Sequence, residues 1–288
     1  MRCPVKLKRK FVPSLLQSFV PTAPDIEKLV DPRSEEFSSI VSGIKISDCW
    51  RTTSRHRHML ADELIVDCSR NLYDSKAAIA DFGVSDGVTS VQLIMQLGCD
   101  FSRFFMVDSN LDVLCFVDHA GRITVQDEHS EQFSIRTSRF FVVYRNAPES
   151  WFPFTWISNW YLSRSLENER SMRMRISLLH PEARELIECD SRVTAERLDI
   201  LTPWPFLRVN IAKVANVLNR TYYSESAISN CIESLWAKIL VGGRLVIVEN
   251  RSVEKVGVYV RTQSGFSLDV EMNGGSEIDA IVREYQSG

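Results

Sequence analysis

The stretch that most constrains the fold is residues 77–90, which read AAIADFGVSDGVTS. It begins as an apolar run typical of a buried strand, continues with Gly83, Ser85 and Gly87 at alternate positions, and ends in a new apolar pattern at helical spacing. Glycine tolerates positive φ angles and allows other groups to approach the backbone closely. The stretch therefore predicts a strand, a tight turn and a helix, which together begin a βαβ unit.

A second apolar run, at residues 104–107, ends in Asp108 and predicts a strand parallel to the first, joined to it by a right-handed crossover. Alternation of strands and helices resumes near residue 192. The elements predicted there are strands at 192–198, 209–214, 244–250, 256–260 and 267–270 and a helix at 226–240. We expect Gly242 and Gly243 to end that helix, because glycine commonly follows a helix C-terminus. The pattern predicts an α/β fold with an open, mostly parallel, Rossmann-like sheet.

Two parts of the chain do not fit this alternation. Residues 1–73 are predicted to form an N-terminal extension, which begins as a proline-rich arm and becomes helical after residue 35. Residues 74–288 are predicted to form the α/β domain, with a cap of β-hairpins, an aromatic helix and a polar helical stretch inserted at 112–188. Within the extension, RTTSRHRH at 51–58 fits a solvated loop or helix face, or a segment that contacts substrate.

The insertion contains a strongly aromatic segment. Six aromatic residues occur between positions 149 and 166, namely Trp151, Phe152, Phe154, Trp156, Trp160 and Tyr161. Such a segment fits a packed helix that covers the hairpins, because aromatic side chains usually contribute to cores. It also fits a homodimer contact, or an interfacial segment that touches lipid, since Trp and Tyr suit both settings. The sequence leaves these three interpretations open.

The composition argues against several classes of function. A net charge of −3 argues against general nucleic-acid binding, which requires a basic surface. The seven cysteines form no CxxC pair, so we expect no metal site, no disulfide framework and a reducing, cytoplasmic compartment. Residues 11–20 are interrupted by Pro13, Gln17 and Ser18, which is atypical of a signal peptide. No stretch approaches the roughly 20 apolar residues that span a bilayer, so we expect no transmembrane segment.

The glycine turn is the candidate cofactor site. It lacks the GxGxxG spacing of dinucleotide-binding folds, and the chain has no Tyr-x-x-x-Lys pair, so a nucleotide-dependent oxidoreductase or epimerase is disfavoured. The order Asp81-x-Gly83-x-Ser85-x-Gly87 resembles motif I of the class I S-adenosylmethionine-dependent methyltransferases, with Ser85 in place of the usual middle glycine. Residues 213–250 are similar to that family's fourth strand, the helix after it and the fifth strand.

The resemblance implies S-adenosylmethionine as the cofactor and places its binding residues at the ends of the parallel strands. Asp108 is implied to accept hydrogen bonds from the ribose hydroxyls. Asp199 stands where the family often has an acid or amide near the adenine amine. The implied cofactor-binding residues are Asp81, Gly83, Val84, Ser85, Asp86, Gly87, Asp108, Ser109, Asp199, Ile200 and Asn216.

The resemblance also implies a methyltransferase whose acceptor, a small molecule or a polymer-linked group, is not identified. Methyl transfer from a sulfonium is an in-line displacement, and positioning the two reactants supplies much of the rate, so no catalytic residue is assigned. Candidates for a general base are His56, His58, His180, Tyr222 and Tyr223. The Asn/Asp-Pro-Pro-Tyr motif of amino methyltransferases is absent, and residues 215–220 read ANVLNR. The alternative is a catalytically inactive binding or partner protein with the same fold.

Overall fold

The structure, a computed structural model, describes residues 5–17, 22–23, 26, 37–42, 45–46, 49–51, 53–71, 76–118, 122–127, 134–144, 156, 160–162, 172–202, 204 and 208–286. The strands are β1 (Val5–Lys8), β2 (Thr22–Ala23), β3 (Lys45–Ile46), β4 (Cys49–Trp50), β5 (Ala77–Phe82), β6 (Phe101–Asp108), β7 (Asp112–Val117), β8 (Ile123–Gln126), β9 (Ser134–Thr137), β10 (Phe141–Tyr144), β11 (Met172–Ser177), β12 (Val193–Arg197), β13 (Val209–Ala215), β14 (Ile239–Asn250), β15 (Glu254–Arg261) and β16 (Phe266–Met272). The helices are α1 (Phe37–Ser42), α2 (Met59–Asn71), α3 (Val88–Leu97), α4 (Pro181–Cys189), α5 (Glu225–Lys238) and α6 (Asp279–Glu284).

Contacts divide the chain into two compact units. The β unit comprises Met1–Thr53 and Asp112–His180, and the α/β unit comprises Ser54–Leu111 and Pro181–Gly288. This grouping assigns α2 to the α/β unit and β1 to the β unit, although both lie in the N-terminal extension defined from the sequence. The domains expected from the sequence, 1–73 and 74–288, stay a prediction.

The α/β unit is built on a seven-stranded sheet with the order β12-β6-β5-β13-β14-β15-β16. The first five of these strands are parallel, and β15 and β16 add to the sheet as antiparallel strands. In chain order the parallel strands lie 3-2-1-4-5, which is the Rossmann order with its switch point between β5 and β13. The predicted fold class, an open and mostly parallel Rossmann-like sheet, is confirmed.

Apolar faces attach the helices to this sheet. In α5 the buried residues are Ile228, Cys231, Ile232 and Leu235, a stripe at helical spacing that packs on the sheet core. Ser224 precedes this helix and accepts a hydrogen bond from the Ala227 N–H at 3.3 Å, as an N-cap residue does. Among the described residues, no helix has the length and apolar character that crossing a bilayer requires.

Gly242 and Gly243 do not end α5, as the sequence predicted. The helix ends at Lys238, and both glycines lie inside β14, where the register with β13 shifts. Gly242 has φ +79°, and a Cβ on Gly243 would lie 2.5 Å from the Asn210 carbonyl oxygen. The glycines are therefore required by a bulge against the neighbouring strand.

The β unit holds a second seven-stranded sheet, with the order β11-β7-β8-β9-β10-β1-β2. Neighbouring strands are antiparallel except β1 and β2. The hairpins predicted for the insertion form its centre, as β7 with β8 and β9 with β10. The N-terminal residues, expected from the sequence to be an irregular arm, include β1, which pairs with β10. Met172–Ser177 was also expected to be helical, whereas this segment is β11; its MRMRIS pattern alternates with the period of a strand.

The aromatic segment is described at a few positions only. Trp156, Trp160 and Tyr161 are helical, and the indole side chains of Trp156 and Trp160 are exposed, whereas Leu162 beside them is buried. The other aromatic residues predicted to form this helix, Trp151, Phe152 and Phe154, lie outside the described residues.

Candidate functional site

The glycine turn leaves β5 and enters α3 through three residues with positive φ. Gly83, Ser85 and Gly87 have φ +77°, +59° and +77°. A residue with a Cβ rarely adopts this left-handed conformation, so Ser85 occupies a strained position that glycine would occupy freely. The alternating small residues of the sequence therefore correspond to alternating left-handed residues in the turn.

Asp108, the last residue of β6, holds this turn by a hydrogen bond. Its Oδ2 accepts a hydrogen bond from the Ser85 N–H at 2.8 Å, and its Oδ1 accepts one from the Asn110 N–H at 2.9 Å. The carboxylate lies at the end of β6, beside the turn, as the sequence predicted. Sequence reasoning missed its structural role, which is to hold the strained Ser85 in position. Each carboxylate oxygen can accept a second hydrogen bond, so the arrangement is compatible with hydroxyl donors from a ligand.

Gly83 is crowded by the protein itself. A Cβ at this position would lie 2.0 Å from Val217 Cγ2, and the Ala215 carbonyl oxygen is nearby at 3.7 Å. The sequence analysis explained this glycine by the approach of a cofactor. The structure gives a further reason, because the loop after β13 crosses close above β5 and leaves no room for a side chain.

The ends of β6 and β12 are joined at the same edge of the sheet. The Leu198 N–H donates to the Asp108 carbonyl oxygen at 3.0 Å, and Arg197 Nε donates to the Ser109 carbonyl oxygen at 3.1 Å. Asp199 follows β12 and is exposed; its Oδ1 accepts the Leu201 N–H at 3.0 Å. The structure thus brings Asp108, Ser109 and Asp199 to neighbouring strand ends.

The predicted binding residues differ in their accessibility. Ser109 and Asp199 are exposed, and Gly83 and Asn216 are partly exposed. The buried members are Asp81, Val84, Ser85, Asp86, Gly87, Asp108 and Ile200. Asp86 is fully buried, and its Oδ1 accepts a hydrogen bond from the Val88 N–H at 3.2 Å, which stabilises the turn just before α3.

Asp81 belongs to a buried charge network that the sequence analysis did not identify. Lys213 lies opposite Asp81 in the register of β13 and β5, and its Nζ is 3.5 Å from Asp81 Oδ2 and 2.9 Å from Asp62 Oδ1. Ser90 of α3 donates to the same Asp81 oxygen at 2.8 Å. The network connects β5 and β13 with α2 and α3. A lone lysine in the apolar run VNIAKVA, beside a strand with an acid, was the sequence signal for it.

Burial and the neighbouring charges together set the pKa values in this network. Burial raises the pKa of Asp62 to about 6, although Lys213 opposes this shift. Burial alone would lower the pKa of Lys213, but the adjacent carboxylates of Asp81 and Asp62 raise it. Lys213 therefore remains a cation inside the α/β unit.

The last residues of the basic segment, 56–58, lie at the carboxyl edge of the parallel strands. The His56 N–H donates to Gln92 Oε1 of α3 at 2.8 Å, and Asn250 at the end of β14 donates to the Arg57 carbonyl oxygen. His58 is 7% exposed, and its Nε2 is 3.2 Å from Asn216 Nδ2. Residues 55–58 form a turn rather than a helix face. Residues 54–56 are exposed, which fits the solvated-loop interpretation, and contact with substrate stays a prediction.

The other candidate bases have different surroundings. His180 belongs to the β unit, where its ring packs edge-on against Phe37 with centroids 5.9 Å apart. Tyr222 is exposed, and Tyr223 packs against the hydrophobic core after β13. Among the described ranges, no group of three or more His, Cys, Asp or Glu residues could hold a metal ion.

Solved structures with a similar arrangement are found at low sequence identity. N-methyltransferase NodS from Bradyrhizobium japonicum WM9 is 13% identical with a TM-score of 0.35, and the match covers 68% of each chain. Magnesium protoporphyrin IX methyltransferase (ChlM) from Synechocystis PCC 6803 is 10% identical with a TM-score of 0.33, and the match covers 66% of this chain and 54% of that chain. SAM-dependent O-methyltransferase (TM0748) from Thermotoga maritima is 14% identical with a TM-score of 0.29, and the match covers 66% of this chain and 44% of that chain.

The chain thus spans about half the length of the last two proteins. No protein-family model matches the sequence, and no curated protein matches it significantly. Because these TM-scores are low, the fold class is taken from the strand order and strand directions of the sheet itself.

Proposed function

We propose that the chain is an S-adenosylmethionine-dependent methyltransferase. The observation that carries this proposal is the position of the glycine turn, which follows the first strand of a 3-2-1-4-5 sheet at its switch point, with an acid at the end of the neighbouring strand. Ligands of open α/β sheets bind at this carboxyl edge, next to the switch point. The methyl acceptor is a small molecule or a polymer-linked group.

The residues at this edge suit an adenosine ligand. Asp108 and Ser109 would hold the ribose, because a carboxylate and a hydroxyl accept hydrogen bonds from its hydroxyl groups. Asp199, which is exposed, would accept a hydrogen bond from the adenine amine. Gly83 and Asn216 directly follow β5 and β13, are partly exposed and would face the rest of the cofactor.

Three buried members of the predicted set act indirectly in this proposal. Asp81, Asp86 and Ser85 are held by hydrogen bonds or ion pairs within the protein, so they shape the turn and need not touch the cofactor. A bound cofactor would supply a methyl group on a sulfonium. The protein would position this group against the acceptor and exclude water, which accounts for much of the rate in such a displacement.

Binding of S-adenosylhomocysteine, the demethylated product, tests the proposal. Asp108→Asn removes the charge at the carboxyl end of β6, and we expect it to weaken binding about 10- to 150-fold, the range for a hydrogen bond to a charged group. Asp100→Asn is the matched control, because Asp100 precedes the same strand at the opposite edge of the sheet. Isothermal titration calorimetry measures the affinities, and circular dichroism checks that each variant is folded.

Two results would contradict this assignment. Failure of the wild-type protein to bind S-adenosylhomocysteine would remove the proposed function. Equal affinities for wild type and folded Asp108→Asn would remove Asp108 from the site. If Asp108→Asn unfolds, Asp199→Ala gives the second measurement, because it removes the proposed acceptor from an exposed side chain that is peripheral to the core. Loss of affinity in this variant would support the proposed binding edge.

A further inference from the structure

His58 is a buried side chain at the proposed cofactor edge whose role the methyltransferase resemblance does not supply. It lies in the turn before α2, it is 7% exposed, and its ring meets Asn216 directly after β13. Asn216 precedes Val217, the residue that covers Gly83. The imidazole therefore lies next to the switch point between β5 and β13.

The orientation of the Asn216 amide is fixed by its other partner. The backbone N–H of Asn250 is 2.7 Å from the Asn216 Oδ1 atom. A backbone N–H can only donate, so the atom that faces it must be the amide oxygen. The amide nitrogen of Asn216 consequently faces His58, and it donates its hydrogen to His58 Nε2.

This contact decides the tautomer of His58. Burial, and then the charges of Lys213 and Arg57, lower the pKa of His58 to about 2, so the ring is neutral at physiological pH. A neutral imidazole carries one hydrogen. Because Nε2 accepts from Asn216, that hydrogen lies on Nδ1.

His58 Nδ1 is a buried donor that has no hydrogen-bond partner among the residues the structure describes. Buried donors in folded proteins almost always have an acceptor, which can be a ligand or an ordered water. The positive charges of Lys213 and Arg57 act on the ring, and they favour an acceptor with negative charge.

We propose that the Nδ1–H of His58 donates a hydrogen bond to the carboxylate of the cofactor's amino-acid end. The proposal rests on the proposed function, since it assigns a residue within the same site. Asn216 is then a positioning residue: it holds His58 in the tautomer that presents a hydrogen to the ligand. This changes the role expected for Asn216 from direct binding to orientation of the imidazole.

The tautomer is tested first, without any ligand. Two-bond ¹H–¹⁵N correlation spectra of the histidine-labelled protein distinguish the Nδ1–H form from the Nε2–H form. We expect His58 to give the Nδ1–H pattern and to remain neutral between pH 5 and about 8, because its pKa is lowered. An Nε2–H pattern, or a ring that titrates within that range, would overturn the proposal.

Asn216→Asp is the most informative variant, because it replaces a donor by an acceptor of the same shape. The new carboxylate accepts from His58 Nε2, so the hydrogen moves there and the Nδ1 lone pair faces the cofactor carboxylate. We expect the affinity for S-adenosylhomocysteine to fall about 10- to 150-fold. His58→Phe, which retains a ring but has no donor, should produce a loss within the same range.

The ligand supplies the matched control. 5′-Methylthioadenosine has the same nucleoside and sulfur but lacks the carboxylate, so both variants should bind it with the affinity of the wild type. Equal losses for the two ligands, or no loss for either, would overturn the role of His58 and indicate that a water molecule alone occupies Nδ1. Absence of S-adenosylhomocysteine binding by the wild type would instead overturn the proposed function, and the ligand-free spectra distinguish that outcome from this one.

Discussion

The two seven-stranded sheets each contain a buried cation, but they hold it in different ways. In the α/β unit, the partners of Lys213 are Asp81 on the neighbouring strand and Asp62 on α2, so the cation joins the sheet to its helical layer. In the β unit, Arg136 on β9 donates to Thr124 on β8 and to Asp118 after β7, so the cation joins strands of one sheet.

The acidic partners of the two cations also differ in the ion pairs that they keep when the cation is removed. Asp81 and Asp62 are almost wholly buried, and Lys213 is the cation both of them contact. Asp118 is 10% exposed at its side chain and forms a second ion pair with Arg122, whose side chain is 45% exposed. A buried charge network that connects layers should therefore be more sensitive to loss of its cation than one that connects strands near solvent.

The largest effect is expected for Lys213→Met. This change leaves two buried carboxylates without their cation, which costs about 3–5 kcal/mol in the free energy of unfolding. Urea denaturation followed by circular dichroism measures the loss, and Lys76→Met, an exposed lysine of the same unit, is the control. A loss below roughly 1 kcal/mol, as at surface ion pairs, would contradict the comparison.

Arg136→Met should cost less, about 1–3 kcal/mol, because Asp118 keeps Arg122 as a partner. Hydrogen exchange measured by mass spectrometry should show faster exchange in β8 and β9, the strands that Arg136 connects. Arg122→Met, which removes the exposed member of the pair, is the matched control and should change exchange little. If Arg136→Met and Lys213→Met destabilise the protein equally, the proposed difference between the two networks is wrong.

The pH dependence of stability reports on Asp62. Its pKa is raised from 3.8 to about 6 in the folded protein, so the folded state binds this proton more tightly than the unfolded state. The resulting stabilisation is fully present below pH 3.8 and is lost as the pH rises through about 6. Between pH 7 and 5, the wild type should gain roughly 1 kcal/mol relative to Asp62→Asn, which cannot titrate. Parallel urea curves at the two pH values measure this difference; an equal or opposite pH slope would contradict it.

The smallest effect concerns the backbone. Among the described residues, all positive-φ positions lie in the α/β unit, and Ser85 and Asn216 flank the proposed cofactor site. Ser85→Gly should stabilise the protein by about 0.5–1 kcal/mol, because the relief of left-handed strain exceeds the entropy cost of glycine. Ser264→Gly, at an exposed turn without positive φ, should be neutral or slightly destabilising. A thermal melt of the three proteins decides between these outcomes.

The strands of the two units also differ in how well the sequence predicts them. The strands β5, β6, β13 and β14 are apolar runs that alternate with helical stripes or glycines, so local patterns predicted them. The sheet of the β unit pairs β1 with β10 across most of the N-terminal half of the chain, and no local pattern specifies that pairing. Strand β11 was missed even though its alternating residues carried the signal.

The same limit applies to the site. Glycines and the strand-end acid Asp108 mark the turn directly, because turn geometry requires particular residue types. The positions of His58 and Lys213 depend on contacts between residues more than 150 positions apart in the chain, which no local motif encodes. The hydrogen bonds of Asp108 to Ser85 and Asn110 also depend on side-chain directions that spacing alone does not give.

The interleaving of the two units has a consequence for synthesis on the ribosome. The strands that the structure describes in the β unit all precede residue 178, so that unit can close while only β5 and β6 of the other sheet have emerged. The central partner of β5 is β13; Ala78 and Asn210, which are hydrogen-bonded across this pair, are separated by 132 residues. Until β13 emerges, the nascent chain carries an unpaired apolar strand edge and an Asp81 without its lysine. Unpaired edges of this kind promote aggregation, so we expect the growing chain to be most prone to aggregation between the emergence of residue 82 and that of residue 209.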